Sequence, residues 1–408
     1  MKERSAHLDE LLTNPDFVQD PYPVYRALHA TAPVYWCEPW GAWLLTGYDD
    51  VMTTSQSPDI FANQGRMEAL LRHLPTETWN ELAPLRKHFS SGLIHTDPPD
   101  HTRLRNLVTQ AFTPRVVEAM RTRIQGVVDS LLDAVQPNNK MDLISDLAFP
   151  LPAIVISELL GIPDEDREQF RSWAKAVTSF QGTGQASADV ALHSQENLLE
   201  VRQYFSEIFT RRRSEPQDDL ISALVTAEEQ GHKLNEAELV STCTTLLLAG
   251  HETTTCLIAN GILTLLNLPD QRHELNENQS LMASAIEEIL RYETPLQRGF
   301  KLVAKDVEIQ GTKLNKGQVV LQMLGAANRD PAHFPDPDRF DIRRNGARNI
   351  AFGHGIHFCL GAPLARIEGE IAIRTVIERL PNLRLDTNSV EWAEGTIFRI
   401  PMELAVSF

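Results

Sequence analysis

The chain has 408 residues, 42% hydrophobic and 23% charged, the balance of a globular protein with a sizeable core rather than of a disordered chain. Lys and Arg number 38 against 55 Asp and Glu, so the formal net charge of −17 repels nucleic-acid phosphates and argues against a nucleic-acid partner. No segment offers the roughly 20 uninterrupted apolar residues of a membrane span, and the opening MKERSAHLDELLTNPDF has no signal-type apolar stretch, so a cytoplasmic protein with no membrane attachment is expected.

In chain order, apolar residues at three-and-four spacing predict helices over 22–30, 99–111, 115–136, 143–160, 164–180, 195–213, 217–228, 236–267, 280–293 and 360–380. Strand-like runs are short and few: Val34–Cys37 with Ala42–Thr46, Val307–Ile309 and Gln318–Met323. The stretch Ala62–His95 reads as irregular, broken by Pro75, Pro84 and Gly92, and so does Gln181–Ala188; such segments often serve as lids. Without linkers or repeats, residues 1–408 read as one mainly α domain with small β-sheets, an α+β chain. The run Arg211–Arg213 is a solvated helix end with no assigned role.

Several local patterns carry chemistry. In Asp97-Pro98-Pro99-Asp100-His101, Asp97 reads as a helix N-cap with Pro98 at the first position, which leaves His101 and Arg105 on one face at i,i+4. Asn235 with Glu238 reads as a capping start, and Pro269 as the stop, of one long helix over 236–267. Its middle, Ala249-Gly250-His251-Glu252-Thr253-Thr254, puts polar groups into an otherwise apolar helix, where unpaired polar groups are costly. A kink at Gly250, with Thr253 bonding back to a carbonyl, is the bland explanation. A zinc-protease helix fails because Thr255 stands where a second His is needed. Glu288 and Arg291 at i,i+3 read by themselves as a surface ion pair.

The four cysteines, at 37, 243, 256 and 359, have no close metal-type pairing. Cys359 stands apart, among Gly353, Gly355 and Gly361 and just before a helix pattern, where unpaired backbone N–H groups and the helix dipole stabilise a thiolate. That thiolate suits an iron ligand or a nucleophile. A phosphatase-type C-x5-R loop is out of register, since six residues separate Cys359 from Arg366.

Phe352-x-x-Gly355-x-His357-x-Cys359-x-Gly361 resembles the heme-binding signature of the cytochrome P-450 family, and the upstream segments follow that family's order from about Pro21 onward. The resemblance implies the family fold, with a heme-thiolate loop at 352–366 and an oxygen-activation helix at 236–267. It implies heme b with Cys359 as the metal ligand, whose electron donation favours O–O cleavage. Phe352, Gly355, Gly361, Ala249 and Gly250 would lie along the cofactor, and His101, Arg105 and His357 would reach its propionates. Many relatives carry a second propionate-binding arginine where this chain has Lys301; Arg298 lies three residues earlier. Glu252 and Thr253 take the positions of the acid-alcohol pair that relays protons to bound O2. Glu288, Arg291 and Arg339 would form the family's buried triad.

The implied activity is monooxygenation: hydroxylation or epoxidation of a small apolar substrate such as a fatty acid, terpenoid or polyketide, in keeping with secondary metabolism. Electrons from NAD(P)H would arrive through a ferredoxin or flavodoxin and its reductase, docking near Arg103, Arg115 and Arg366, and the protein would be a monomer. A peroxide-dependent peroxygenase would lack the Glu252–Thr253 pair, and a heme gas sensor would not need it. The substrate pocket would be lined by Met67, Leu70, Phe180, Leu248, Leu296, Phe300, Ile397 and Phe398, which suggests an apolar ligand of medium or large size.

Overall fold

Apolar stripes become helices here by packing against one another, and the longest stripe makes the longest helix. The computed structural model describes residues 2–408 other than 167, 168, 170, 171, 174, 175, 178–186, 230, 231, 388 and 396. The helices that build the site are α1 (Arg66–Leu71), α2 (Asp100–Ala111), α3 (Arg121–Val135), α4 (Pro150–Leu160), α5 (Ala188–Ser214), α6 (Glu236–Asn267), α7 (Met282–Tyr292) and α8 (Ala362–Arg379).

Helix α6 has the limits its sequence predicts. Asn235 Oδ1 accepts from the Glu238 N–H at 3.0 Å, and Glu238 Oε2 accepts from the Asn235 N–H at 2.9 Å, a complete capping box. Its 32 residues span about 48 Å at ~1.5 Å per residue. It packs against α4, α7 and α8. Glycines set the closeness: a Cβ at Gly261 would sit 2.7 Å from Ile373, and one at Gly369 would sit 2.9 Å from Leu257. Leu151, Val155, Ile258, Ile289, Ala372 and Val376 fill the main core around these crossings.

Other boundaries move for identifiable reasons. The 115–136 prediction splits into Pro114–Ala119 and α3, and 143–160 splits into a π-helical turn, Ile144–Ala148, and α4, which opens on Pro150. A proline lacks the N–H that would continue a helix through it. Ala62–His95 is helical, as α1, Thr76–Glu81 and Ala83–Ser90. Pro75 and Pro84 start those helices instead of breaking the segment. The predicted 195–213 helix begins at Ala188, where Ser187 Oγ accepts from the Val190 N–H. Much of 164–180 and most of 181–188 lie outside the described residues.

The main sheet runs in the order β1 (Val34–Cys37), β2 (Ala42–Leu45), β5 (Val319–Gln322), β4 (Gly299–Val303), β3 (Phe61–Ala62). The β2–β5 pair is parallel and the others antiparallel. Sequence patterning missed β4, which lies next to the sheet's centre with Lys301 opposite Val320. No helix among the described residues is long and apolar enough to cross a membrane.

Candidate active site

The loop before α8 folds as a turn closed by its own backbone: the Cys359 N–H donates to Phe352 O at 3.0 Å. Gly353 and Gly355 have φ of +69° and +70°, and a Cβ at Gly355 would sit 2.3 Å from Ser55 O, so no other residue fits there. Gly361 has an ordinary φ of −78°. A Cβ there would make ordinary van der Waals contact with the Cys359 Sγ, at 3.9 Å. Arg366 lies over the Phe352 ring at 4.5 Å, which fixes the start of α8 against the loop.

All four cysteines are free thiols. Cys37, Cys243 and Cys256 are fully buried, and burial pushes the Cys37 thiol up to about 12 and the other two well up. Burial raises Cys359 too, but N–H groups of Gly361 and Ala362 and the charges of Arg105 and Arg366 pull against it. Among the described cysteines it is the one with two N–H groups and two guanidiniums opposing burial.

A basic cluster lies beside this loop. Arg105 donates to Phe358 O at 2.9 Å and feels the Cys359 charge. The His101 and His357 rings lie 4.2 Å apart. Among the described residues neither nitrogen of His101, 2% exposed, has a hydrogen-bond partner, and nor does His357 Nε2, which sits 3.8 Å from Asp97 Oδ1, beyond hydrogen-bond reach. Burial first, then the neighbouring charges, hold His101 at about 4. Lys301, 5% exposed, is lowered to about 8 by burial and by Arg66. Arg298 turns elsewhere, over the Trp40 ring at 4.5 Å, where it feels Tyr25 and Cys37. Lys301 is therefore the residue of this pair that joins the cluster. Buried donors without acceptors, among cations with one acid between them, fit a group that brings carboxylates.

Asp97 does not cap α2, which starts at Asp100 after Pro99. Its carboxylate accepts from the N–H groups of Asn63 and Gln64 at 2.8 to 3.2 Å instead; burial would raise its pKa, but the nearby His357 ring first and then these N–H groups hold it below the usual carboxylate range. The chain before α1 is thereby pinned to the histidine pair.

On α6, Ala249 is exposed at the middle of a largely buried helix, with Leu248, Glu252 and Thr253 half-buried around it. Thr253 Oγ1 donates to Ala249 O at 2.8 Å. A Cβ at Gly250 would touch Ile156 at 3.4 Å, so Gly250 is part of the crossing with α4. His251 is buried, its Nε2 3.2 Å from Phe149 O, and belongs to packing.

The triad needs one correction. Glu288 and Arg291 are buried and paired through two bonds of 2.7 and 2.8 Å. The third side chain is Arg344, whose Nε donates to Glu288 Oε1 at 3.1 Å. The Arg339 side chain is 70% exposed and reaches only Asp341, at 3.8 Å. Arg339 takes part through its backbone oxygen, which accepts from both Arg291 and Arg344. No sequence signal separates these arginines, because the loop from Pro331 to Arg348 has no repeat that says which way each points.

Of the pocket residues, Met67, Leu70, Leu248 and Phe300 form one apolar cluster. Leu296 packs with the sheet core and bridges Phe398. Ile397 O accepts from the Gln297 N–H at 2.7 Å. Phe398 lines a shallow surface cleft with Phe17, Pro21, Tyr25 and Arg399 rather than that cluster. Phe180 lies outside the described residues. Of the docking candidates, Arg103 is paired with Glu238 and Arg366 with Glu287, whereas Arg115 is exposed.

A cysteine loop ahead of a helix, a basic cluster with unmatched buried nitrogens and a polar break in a long buried helix suit a group that brings a metal and carboxylates. The family model for cytochrome P450 matches residues 67–389. The chain is 44% identical over 366 residues to cytochrome P450 107B1 of Saccharopolyspora erythraea, covering 88% of this chain and 87% of that protein. It is 42% identical to the cytochrome P450 monooxygenase PikC of Streptomyces venezuelae over 94% and 90% of the two chains. The solved structure of P450BioI in complex with hexadec-9Z-enoic acid ligated acyl carrier protein superposes with a TM-score of 0.88 at 38% identity, covering 97% and 100%. The chain belongs to the cytochrome P450 family. It is a monooxygenase of that family.

Proposed function

We propose that the chain binds heme b through Cys359, with His101, Arg105, His357 and Lys301 receiving the propionates, and uses Glu252 and Thr253 to deliver protons. The observation that carries this reading is the set of buried, partnerless nitrogens on His101 and His357 beside Lys301. When bound, the heme would supply O2 activation, with one oxygen atom passing into a C–H or C=C bond and the other leaving as water on uptake of two electrons and two protons. Burial raises the Cys359 thiol, and the Gly361 and Ala362 N–H groups with the Arg105 and Arg366 guanidiniums oppose that rise, so the sulfur would take on the charge of a thiolate as it binds the iron. Thr253 Oγ1 spends its hydrogen on Ala249 O, which leaves its lone pairs to accept from a water or a substrate hydroxyl. Glu252 stands next to it as the acid that replaces a proton passed on from that water.

Met67, Leu70, Leu248 and Phe300 exclude water and offer no charge, which favours an apolar substrate of medium or large size. NAD(P)H electrons would come through a ferredoxin or flavodoxin and its reductase, with Arg115 as the exposed cation for a docking acid. The test is turnover. With NAD(P)H and surrogate redox proteins the chain should consume O2 and oxidise substrate, and Thr253→Ala should keep consuming NAD(P)H while yielding much less product. Activity with peroxide alone, or ligand binding without turnover, would overturn the reading. A screen of compound classes for the spin-state shift of the Soret band then identifies the substrate class.

A further inference from the structure

Arg66 opens α1 at the edge of the sheet and is half-buried, with its Nε shut off from solvent. Nη1 donates to Phe300 O at 3.0 Å and Nη2 to Ile94 O at 2.8 Å. Nη2 also lies 3.3 Å from His95 Nδ1, and the group sits over the Phe300 ring at 4.7 Å. Nε has no partner. A guanidinium carries five N–H donors, so these contacts leave at least Nε–H and one Nη hydrogen uncommitted. Among the described residues no carboxylate lies within ion-pair distance of Arg66, and its charge is felt at Lys301 and His357.

The charges point the same way. Arg66, Lys301 and Arg105 are cations around the histidine pair, and Asp97 is the acid among them. The excess is two positive charges, and a heme brings two propionates. Without Arg66 the sum falls one short. Lysine offers a point charge, whereas carboxylate recognition is best served by a planar fork. β4 carries a lysine at this position, and the half-buried guanidinium of α1 lies over the neighbouring Phe300.

We propose that Arg66 is a propionate ligand of the loaded protein, supplying from α1 the guanidinium that β4 lacks at Lys301. The inference rests on the heme-binding reading above. It ties the helix that carries Met67 and Leu70 to the cofactor, so movement of that wall of the pocket and retention of heme are coupled.

The test uses the heme-loaded protein and follows heme transfer to excess apomyoglobin. Arg66→Gln keeps the stem and an amide donor but loses the charge, and should release heme roughly tenfold faster, as expected for one charge-assisted bond. Arg66→Lys should fall between, and Arg72→Gln, an exposed neighbour on the same segment, should not differ from wild type. Lys301→Arg added to Arg66→Gln should restore slow release. The propionate bending bands in resonance Raman should shift in Arg66→Gln. Unchanged release and unchanged bands overturn the proposal. So does faster release with unshifted bands and no rescue, which would assign Arg66 to holding the Phe300 and Ile94 carbonyls. Unchanged release with lost binding of carboxylate-bearing ligands would make Arg66 a substrate anchor instead. Wild-type protein that contains no porphyrin would fail the heme reading itself, a separate result.

Discussion

Glu288 shows how a charge survives in this interior. Its carboxylate accepts four N–H donations, three at Oε1 from Arg291, Arg344 and the Asp341 N–H and one at Oε2 from Arg291. Removing one member of such a buried set leaves the others unpaired at about 3–5 kcal/mol. Glu288→Gln should therefore lower the denaturation midpoint strongly, and Arg344→Ala should lower it substantially. Arg339→Ala, on an exposed side chain, should stay within about 0.5 kcal/mol of wild type in the same urea titration. His88 makes the pH counterpart. It is 5% exposed, and burial holds it near 3 instead of the usual 6.5. The unfolded chain takes up this proton first, so the stability His88 contributes is present above about 6.5 and is lost as pH falls toward about 3. His88→Gln should flatten the acid limb of stability against pH by up to about 1.4 kcal/mol per pH unit in that window.

At the scale of elements, α6 is held at its start by a cap and along its length by glycines. Asn235→Ala removes both partners' reason to meet and should cost about 1 kcal/mol, read as a lower thermal midpoint. Gly261→Val would drive side-chain atoms into Ile373 and Ile289, and should cost about 1–3 kcal/mol by overpacking. The cap was legible because its two bonds join residues three apart. The glycine contacts were not, because Ile373 and Leu257 come from opposite ends of the crossing. Strand β4 escaped for a related reason: a buried lysine in its middle hides the alternation that marks a strand. The same burial is what makes Lys301 part of the site.

For the molecule as a whole, the thiolate loop is the point on which assembly of the site turns. Cys359→Ala should purify with little porphyrin, or with porphyrin whose reduced carbonyl complex lacks the long-wavelength Soret band of thiolate ligation; a wild-type spectrum in that variant would refute the assignment. The loop, the limits of α6 and the His101–Arg105 face were written locally, in residues a few positions apart. Local sequence determines such features because capping, turn geometry and helical spacing act within one or two turns. Which arginine completes the Glu288 network, that Asp97 holds the chain before α1 rather than capping α2, and that Arg66 lies over Phe300, next to Lys301 in β4, were decided by tertiary structure alone. These are pairings across tens to hundreds of residues, and a side chain's partner there depends on how sheet and helices pack, not on its neighbours in the chain.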